Sequence, residues 1–178
     1  MDPIKIIDKY YSTSKQLKEV LVIHSEAVAK KALQIVHRHP ELELDESFVY
    51  EASMLHDIGI FMTKAPSIFC EGDYPYIAHG YLGADLMRKE GYNKHAWVCE
   101  RHTGTGLSLE AIEEQKLPLP HRDMQPISLE EQVICFADKF YSKSNLTKEK
   151  TVAEARKSLL RFGKEGVDKF DNWCKLFL

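Results

Sequence analysis

Five polar side chains occupy positions that hydrophobic periodicity assigns to helix interiors. His24 shares a stripe with Val20 and Val28, and His56 follows Val49 and Ala52 at seven and four residues. His79 precedes Leu82 and Leu86, while His102 follows Val98 and Cys99. Asp138 sits among Ile134, Cys135 and Tyr141. An unpaired buried polar group costs about 1–3 kcal/mol, and a buried carboxylate is rare unless paired or bound to metal. Taken singly, an inward histidine is ordinarily a hydrogen-bonded core residue. Taken together, such residues on separate helices have one common solution, convergence on metal. Imidazole nitrogen and carboxylate oxygen are ligands for Fe, Mn, Zn, Co and Ni. Asp57, adjacent to His56 near a helix end, can reach the same place, and its two oxygens can bridge two ions. Four histidines and two aspartates exceed the needs of one tetrahedral ion and suffice for two divalent metal ions with open positions. The other histidines, His37, His39, His95 and His121, look dispersed.

Positioning these residues requires helices nearly throughout. Asp2-Pro3 starts a short one, with proline in its first turn. Ser14 opens a long segment to about His37, ended by His39-Pro40 because the residue before proline avoids helical dihedrals. Asp45 or Ser47 caps the next helix, which stops at Gly59. Residues 60–77, with Pro66, Gly72 and Pro75, read as a loop. Helices follow over about 78–90, 94–102 and 108–115, and then Pro118, Pro120 and Pro126 break the chain. Ser128 and Glu131 form a capping box for a helix through about Ser142. Amphipathic segments at about 148–162 and 164–176 close the chain. There is no repeat and no period-2 strand, so the expected fold class is all-α, one helical bundle over residues 1–178. The tail Phe170, Trp173, Phe177, Leu178 reads as a helix packed on that bundle; exposed, the same face would serve a homodimer.

Composition narrows the function. The 178 residues carry 24 Lys and Arg against 27 Asp and Glu, a net charge of −3. That length suits one domain, and 44% hydrophobic with 29% charged residues excludes disorder. Mild acidity argues against a binder of nucleic-acid polymer, which needs a basic surface, but permits a local basic patch around a phosphate. The start, Met1-Asp2-Pro3-Ile4-Lys5, lacks the pattern of a secretory signal, and no apolar run approaches the ~20 residues needed to cross a bilayer. Cys70, Cys99, Cys135 and Cys174 form no C-x-x-C pair and read as buried or idle thiols in a reducing cytoplasm, and no membrane partner is expected.

The pattern resembles the HD superfamily of metal-dependent phosphohydrolases. The carrying residues are His24 in Val22-Ile23-His24-Ser25, the doublet in Leu55-His56-Asp57-Ile58-Gly59, and Asp138 in Phe136-Ala137-Asp138-Lys139, a core motif over 24–138. His79 and His102 are similar to the extra histidines of the dinuclear subset. That subset includes cyclic-dinucleotide phosphodiesterases, symmetrical diadenosine tetraphosphatases and mixed-valence di-iron oxygenases. The resemblance implies an all-α bundle with His24, His56, Asp57 and Asp138 on one ion. Asp57 then bridges to a second ion completed by His79 and His102. Two departures stand out. Many phosphodiesterase relatives carry lysine four residues after the doublet's histidine, where this chain has Ile60; Lys64 reads as a solvated loop residue. No Gly-Tyr-Pro follows the last histidine, which disfavours hydrolysis of cyclic di-GMP.

The expected reaction is hydrolysis of a phosphate ester or anhydride in a small, nucleotide-like molecule. A water bridging the two ions would lose a proton and attack phosphorus, and Asp57, which holds both ions, is the residue on which turnover depends. Arg101 and Lys139 adjoin ligands and are candidates to hold phosphate oxygens, Arg by its planar fork and Lys as a point charge. Thr103 and Thr105 could present hydroxyls to an anion, and Tyr74, Tyr76 and Tyr81 flank His79 and could line the pocket. Two alternatives keep the pocket: di-iron oxygen activation, and a sensor that binds a nucleotide without turnover.

Overall fold

The computed structural model describes residues 1–178. Nine α-helices carry most of the chain: α1 Pro3–Tyr10, α2 Lys15–Arg38, α3 Glu46–Leu55, α4 His79–Lys89, α5 Asn93–Arg101, α6 Leu109–Glu114, α7 Leu129–Asp138, α8 Val152–Leu159 and α9 Lys164–Phe177. Local chemistry sets their starts. Asp2, Ser14, Asp45 and Ser108 each accept a backbone N–H in the first turn of α1, α2, α3 and α6. Ser128 with Glu131, and Thr151 with Glu154, close full capping boxes on α7 and α8.

The helical class holds, with one correction. Residues 60–77 are not plain loop. They contain 3-10 turns and three short strands, β1 Thr63–Ala65, β2 Cys70–Glu71 and β3 Tyr74–Pro75. The order is β2-β1-β3, antiparallel in the first pair and parallel in the second. Strands of two or three residues are too short to show a period of two, which is why the sequence hides them. A second correction matters more for function. Helix α7 stops at Asp138, not near Ser142, and α8 begins only at Val152. Residues 139–151 therefore run as a connection beside the last acid of the motif.

Two apolar clusters form the core. One gathers Leu21, Leu55, Ile58 and Met87, and the other gathers Val28, Val49, Phe136 and Phe170. Helix α2 feeds Leu21 to the first and Val28 to the second, with His24 between them. Helix α5 does the same with Cys99 and Val98 just before His102. The polar residues thus lie at the seam of two hydrophobic masses. The C-terminal helices pack inward: Phe136 meets Phe170 at 5.3 Å and Phe177 at 5.5 Å between ring centroids, and Phe177 is fully buried. Cys70, Cys99 and Cys135 are buried free thiols, and Cys174 is half-buried. No helix is long and apolar enough to cross a membrane.

Candidate metal centre

The five inward residues and Asp57 converge. His24, His56, Asp57 and Asp138 bring ligand atoms within 4.8 Å of one another, and so do Asp57, His79 and His102. Asp57 belongs to both groups, and its two oxygens divide between them. Oδ2 lies 3.1 Å from His24 Nε2 and 3.0 Å from His56 Nε2. Oδ1 lies 3.4 Å from His79 Nε2 and 3.3 Å from His102 Nε2. Asp138 Oδ1 completes the first group, 3.0 Å from His24 Nε2 and 3.5 Å from His56 Nε2. Donors about 2.1 Å from a common ion stand roughly 3.0–3.4 Å apart, so the observed spacing matches the edges of a coordination shell.

The hydrogen bonds prepare the rings for that role. His56 Nδ1 donates to the Ser53 carbonyl at 2.6 Å, His79 Nδ1 to Tyr76 at 2.6 Å, and His102 Nδ1 to Cys99 at 2.7 Å. A carbonyl only accepts, so each Nδ1 carries a proton. His79 and His102, kept neutral by burial, point Nε2 lone pairs into the cluster, while His56 Nε2 can ligate once it gives up the proton that Asp57 and Asp138 favour. His79 and His102 consequently turn their Nε2 atoms toward each other at 3.0 Å. Two lone pairs at that distance need a cation between them. The buried His56 Nε2 and Asp57 Oδ1 lack a directed hydrogen-bond partner, and Asp57 Oδ2 meets a lysine cation, that of Lys143, besides the imidazoles. In an interior where polar atoms are normally satisfied, these atoms fit metal ligation.

Gly59, directly after the doublet, explains how α4 delivers His79. A Cβ on Gly59 would fall 2.3 Å from the His79 carbonyl oxygen and 2.5 Å from the Gly83 nitrogen. Only glycine lets the two backbones meet and set His79 against Asp57.

The charges are mutually dependent. Burial opposes ionisation of Asp57, but Lys143, His56, His102 and His24 hold its carboxyl well below the usual range. Asp138, half-buried at the cavity, is likewise held low, by Lys139, His24 and His56. Burial works against a charged His56, yet Asp57 and Asp138 outweigh it and lift its pKa to about 9. Burial takes His79 down to about 3 against the pull of Asp57, and lowers His102 as well.

The flanking residues divide. Lys139 reaches the site: its Nζ lies 2.8 Å from Asp138 Oδ2 and donates to the His102 carbonyl at 2.9 Å. Arg101 does not line the cavity. Its guanidinium is taken by Glu131 at 3.0 and 3.2 Å and lies over the Trp97 ring at 5.3 Å. Adjacency to His102 misled, since one residue along a helix turns the side chain by about 100°. Thr103 and Tyr76 line the cavity; Thr105 is buried away from it, Tyr74 is exposed, and Tyr81 packs beside Leu107. Lys64 is an exposed strand residue. His95, which looked dispersed, is buried against Phe48, Tyr92 and Glu51.

One residue was missed altogether. Lys143, on the connection after α7, places Nζ 2.5 Å from Asp57 Oδ2 and 5.9 Å from the Tyr76 ring centroid. Loop residues carry no periodicity, so the sequence signals only a run of lysines after Asp138. All this opens into a cavity of about 580 Å³ that exposes His24, His79, His102 and Asp138 beside Lys143.

The comparisons agree with this geometry. The family model described as HD domain matches residues 21–142. An uncharacterized protein of Methanocaldococcus jannaschii is 36% identical over 136 residues, covering 74% of this chain and 72% of that protein. A protein of Picrophilus torridus named tRNA (cytidine(56)-2'-O)-methyltransferase is 31% identical over 134 residues, 75% of this chain but 35% of its own length. Its namesake from Thermoplasma volcanium is 28% identical over 153 residues, 85% of this chain and 40% of its own. The chain therefore spans well under half of each methyltransferase. No solved structure matches it.

Proposed function

The chain belongs to the HD domain family, and from that premise we propose that it is a metal-dependent phosphohydrolase acting on a small, nucleotide-like phosphate ester or anhydride. The observation that carries this reading is the division of the Asp57 oxygens, Oδ2 toward His24 and His56 and Oδ1 toward His79 and His102. His24, His56, Asp57 and Asp138 would hold one divalent ion, and Asp57, His79 and His102 a second; Fe, Mn, Zn, Co and Ni all suit such nitrogen and oxygen donors. Bound there, the ions would supply Lewis-acid polarisation of a phosphoryl group and acidify water between them.

The protein's own groups do the rest. Lys139 fixes the second oxygen of Asp138 and the backbone of His102, so it acts as a positioning residue. Lys143 stands at the mouth of the cluster as a half-buried cation. It can release Asp57 and turn to a phosphoryl oxygen, filling the electrostatic role that Ile60 cannot. Ile60 is itself fully buried in the apolar core.

Lys139, Lys143, Lys150 and Arg161 all line the cavity of a chain whose net charge is −3. That concentration favours an anionic ligand, such as a phosphate ester or anhydride. It also favours a small anion over the tRNA named for two relatives, since the positive charge gathers in one cavity.

Purified protein loaded with Mn, Fe or Co and given a nucleotide panel and a chromogenic phosphodiester tests this. Release of phosphate or alcohol, lost in Asp57→Ala, is the expected result. Full turnover in Asp57→Ala, or none with any metal, would remove the assignment.

A further inference from the structure

Two cations on the cavity have no counterion. Lys150 donates only to the Lys139 carbonyl, at 3.5 Å, and Arg161 meets only the Phe162 ring, at 4.8 Å. Neither has a carboxylate within salt-bridge range, although carboxylates are close in sequence. Lys148 and Arg156, which do not line the cavity, pair with Glu154 at 2.6 Å and Asp171 at 2.9 Å. Of the cations that line the cavity, Lys139 and Lys143 hold carboxylates of the cluster, whereas Lys150 and Arg161 face it with none.

Their surroundings add to the positive field. Lys139 and Lys143 line the same cavity, and each already holds a carboxylate of the cluster, Asp138 and Asp57 respectively. Lys150 lies half-buried; burial pulls its pKa down and Lys139, Arg161 and Lys143 press the same way against Asp138. An anion arriving beside Lys150 and Arg161 would relieve that repulsion. Both residues lie beyond position 142, where the family match ends, on the connection before α8 and the turn after it. Their wall of the cavity also carries Phe162, packed with Ile77 and Leu117 on one apolar cluster.

We propose that Lys150 and Arg161 form a second anion subsite, so that the preferred ligand carries a further anionic group beyond the scissile phosphate, as a phosphate chain does. This rests on the phosphohydrolase reading for the position of the first phosphate. A ligand with one phosphate would fill the cluster and Lys143 and leave Lys150 and Arg161 unpaired. A diphosphate would engage both places, and its selectivity would come from residues outside the shared motif.

Equilibrium binding of AMP and ADP to the Mn-loaded full chain tests it. Free metal is held equal, so that chelation cancels between wild type and variant. Wild type should bind ADP tighter than AMP. Lys150→Met combined with Arg161→Met should weaken ADP about tenfold and change AMP less than about twofold. The charge-conserving pair Lys150→Arg with Arg161→Lys should restore most of the ADP affinity, and thermal unfolding should confirm that all variants fold. Equal loss for both nucleotides, no loss for either, or no preference of wild type for ADP would overturn the subsite. Each of those outcomes would leave the chromogenic turnover and its dependence on Asp57 standing. Loss of that turnover with ADP selectivity intact would overturn the phosphohydrolase reading instead.

Discussion

Lys143 Nζ sits 2.5 Å from Asp57 Oδ2, on the same oxygen that faces His24 and His56. A protein cation therefore competes for the carboxylate that a metal would use. The contact is buried, with 13% of the lysine side chain and none of the aspartate exposed. Breaking one partner of such a pair leaves a charge that must find another counterion.

Lys143→Met should thus have opposite effects on two measurements. Asp57 loses its internal cation, so Mn affinity read by titration should rise several-fold. Turnover should fall by about 10²-fold, the scale of losing one fixed charge at a developing oxyanion. A fall in both would mean that Lys143 merely supports the fold.

The ligand groups should be separable. His79→Ala removes a donor from the second group and touches none of the first. Metal content should drop by one ion per chain in that variant, measured by elemental analysis after gel filtration. His24→Ala should remove the other ion while leaving the His79–His102 pair in place. Loss of both ions in either variant would show that the ions bind only as a unit.

Gly59→Ala tests how α4 is placed. The added Cβ would meet the His79 carbonyl oxygen and the Gly83 nitrogen, both backbone atoms that cannot swing away. Destabilisation of about 1–3 kcal/mol by urea unfolding is expected, with weakened binding of the second ion because His79 moves. An unchanged midpoint and metal content would contradict the close approach.

His95 should give the metal-free protein an acid-side weakness. Burial lowers its pKa, and Glu51 only partly opposes the shift. The unfolded chain, near 6.5, binds that proton first. Stability from neutral His95 is therefore complete above about pH 6.5 and is lost as pH falls below it. In chelated protein, unfolding midpoints at pH 7.5 and 5.5 should differ less for His95→Gln than for wild type. Parallel losses would place the titration elsewhere.

The converging residues were legible because they break a pattern. His24, His56, His79, His102 and Asp138 each put a polar group on an apolar helix face, and periodicity exposes that conflict. Asp57 was reachable by adjacency, and the Ser128–Glu131 capping box marked where α7 begins. The same logic failed where periodicity is silent or misapplied. Lys143 sits on the connection after α7, where no repeat assigns a face, and Lys150 and Arg161 fall at the two ends of the expected 148–162 helix, which the structure trims to Val152–Leu159. Arg101 was read from sequence adjacency, but rotation about α5 carries it to Glu131. The strands at 63–75 were too short to alternate.

Elemental analysis of protein purified without chelator tests the central claim most directly. The donor spacing predicts close to two transition-metal ions per chain in the wild type and close to none in Asp57→Ala, the one variant that takes a ligand from both groups. Wild type free of transition metal after incubation with Fe, Mn, Zn, Co and Ni, or an Asp57→Ala variant as fully loaded as wild type, would contradict it.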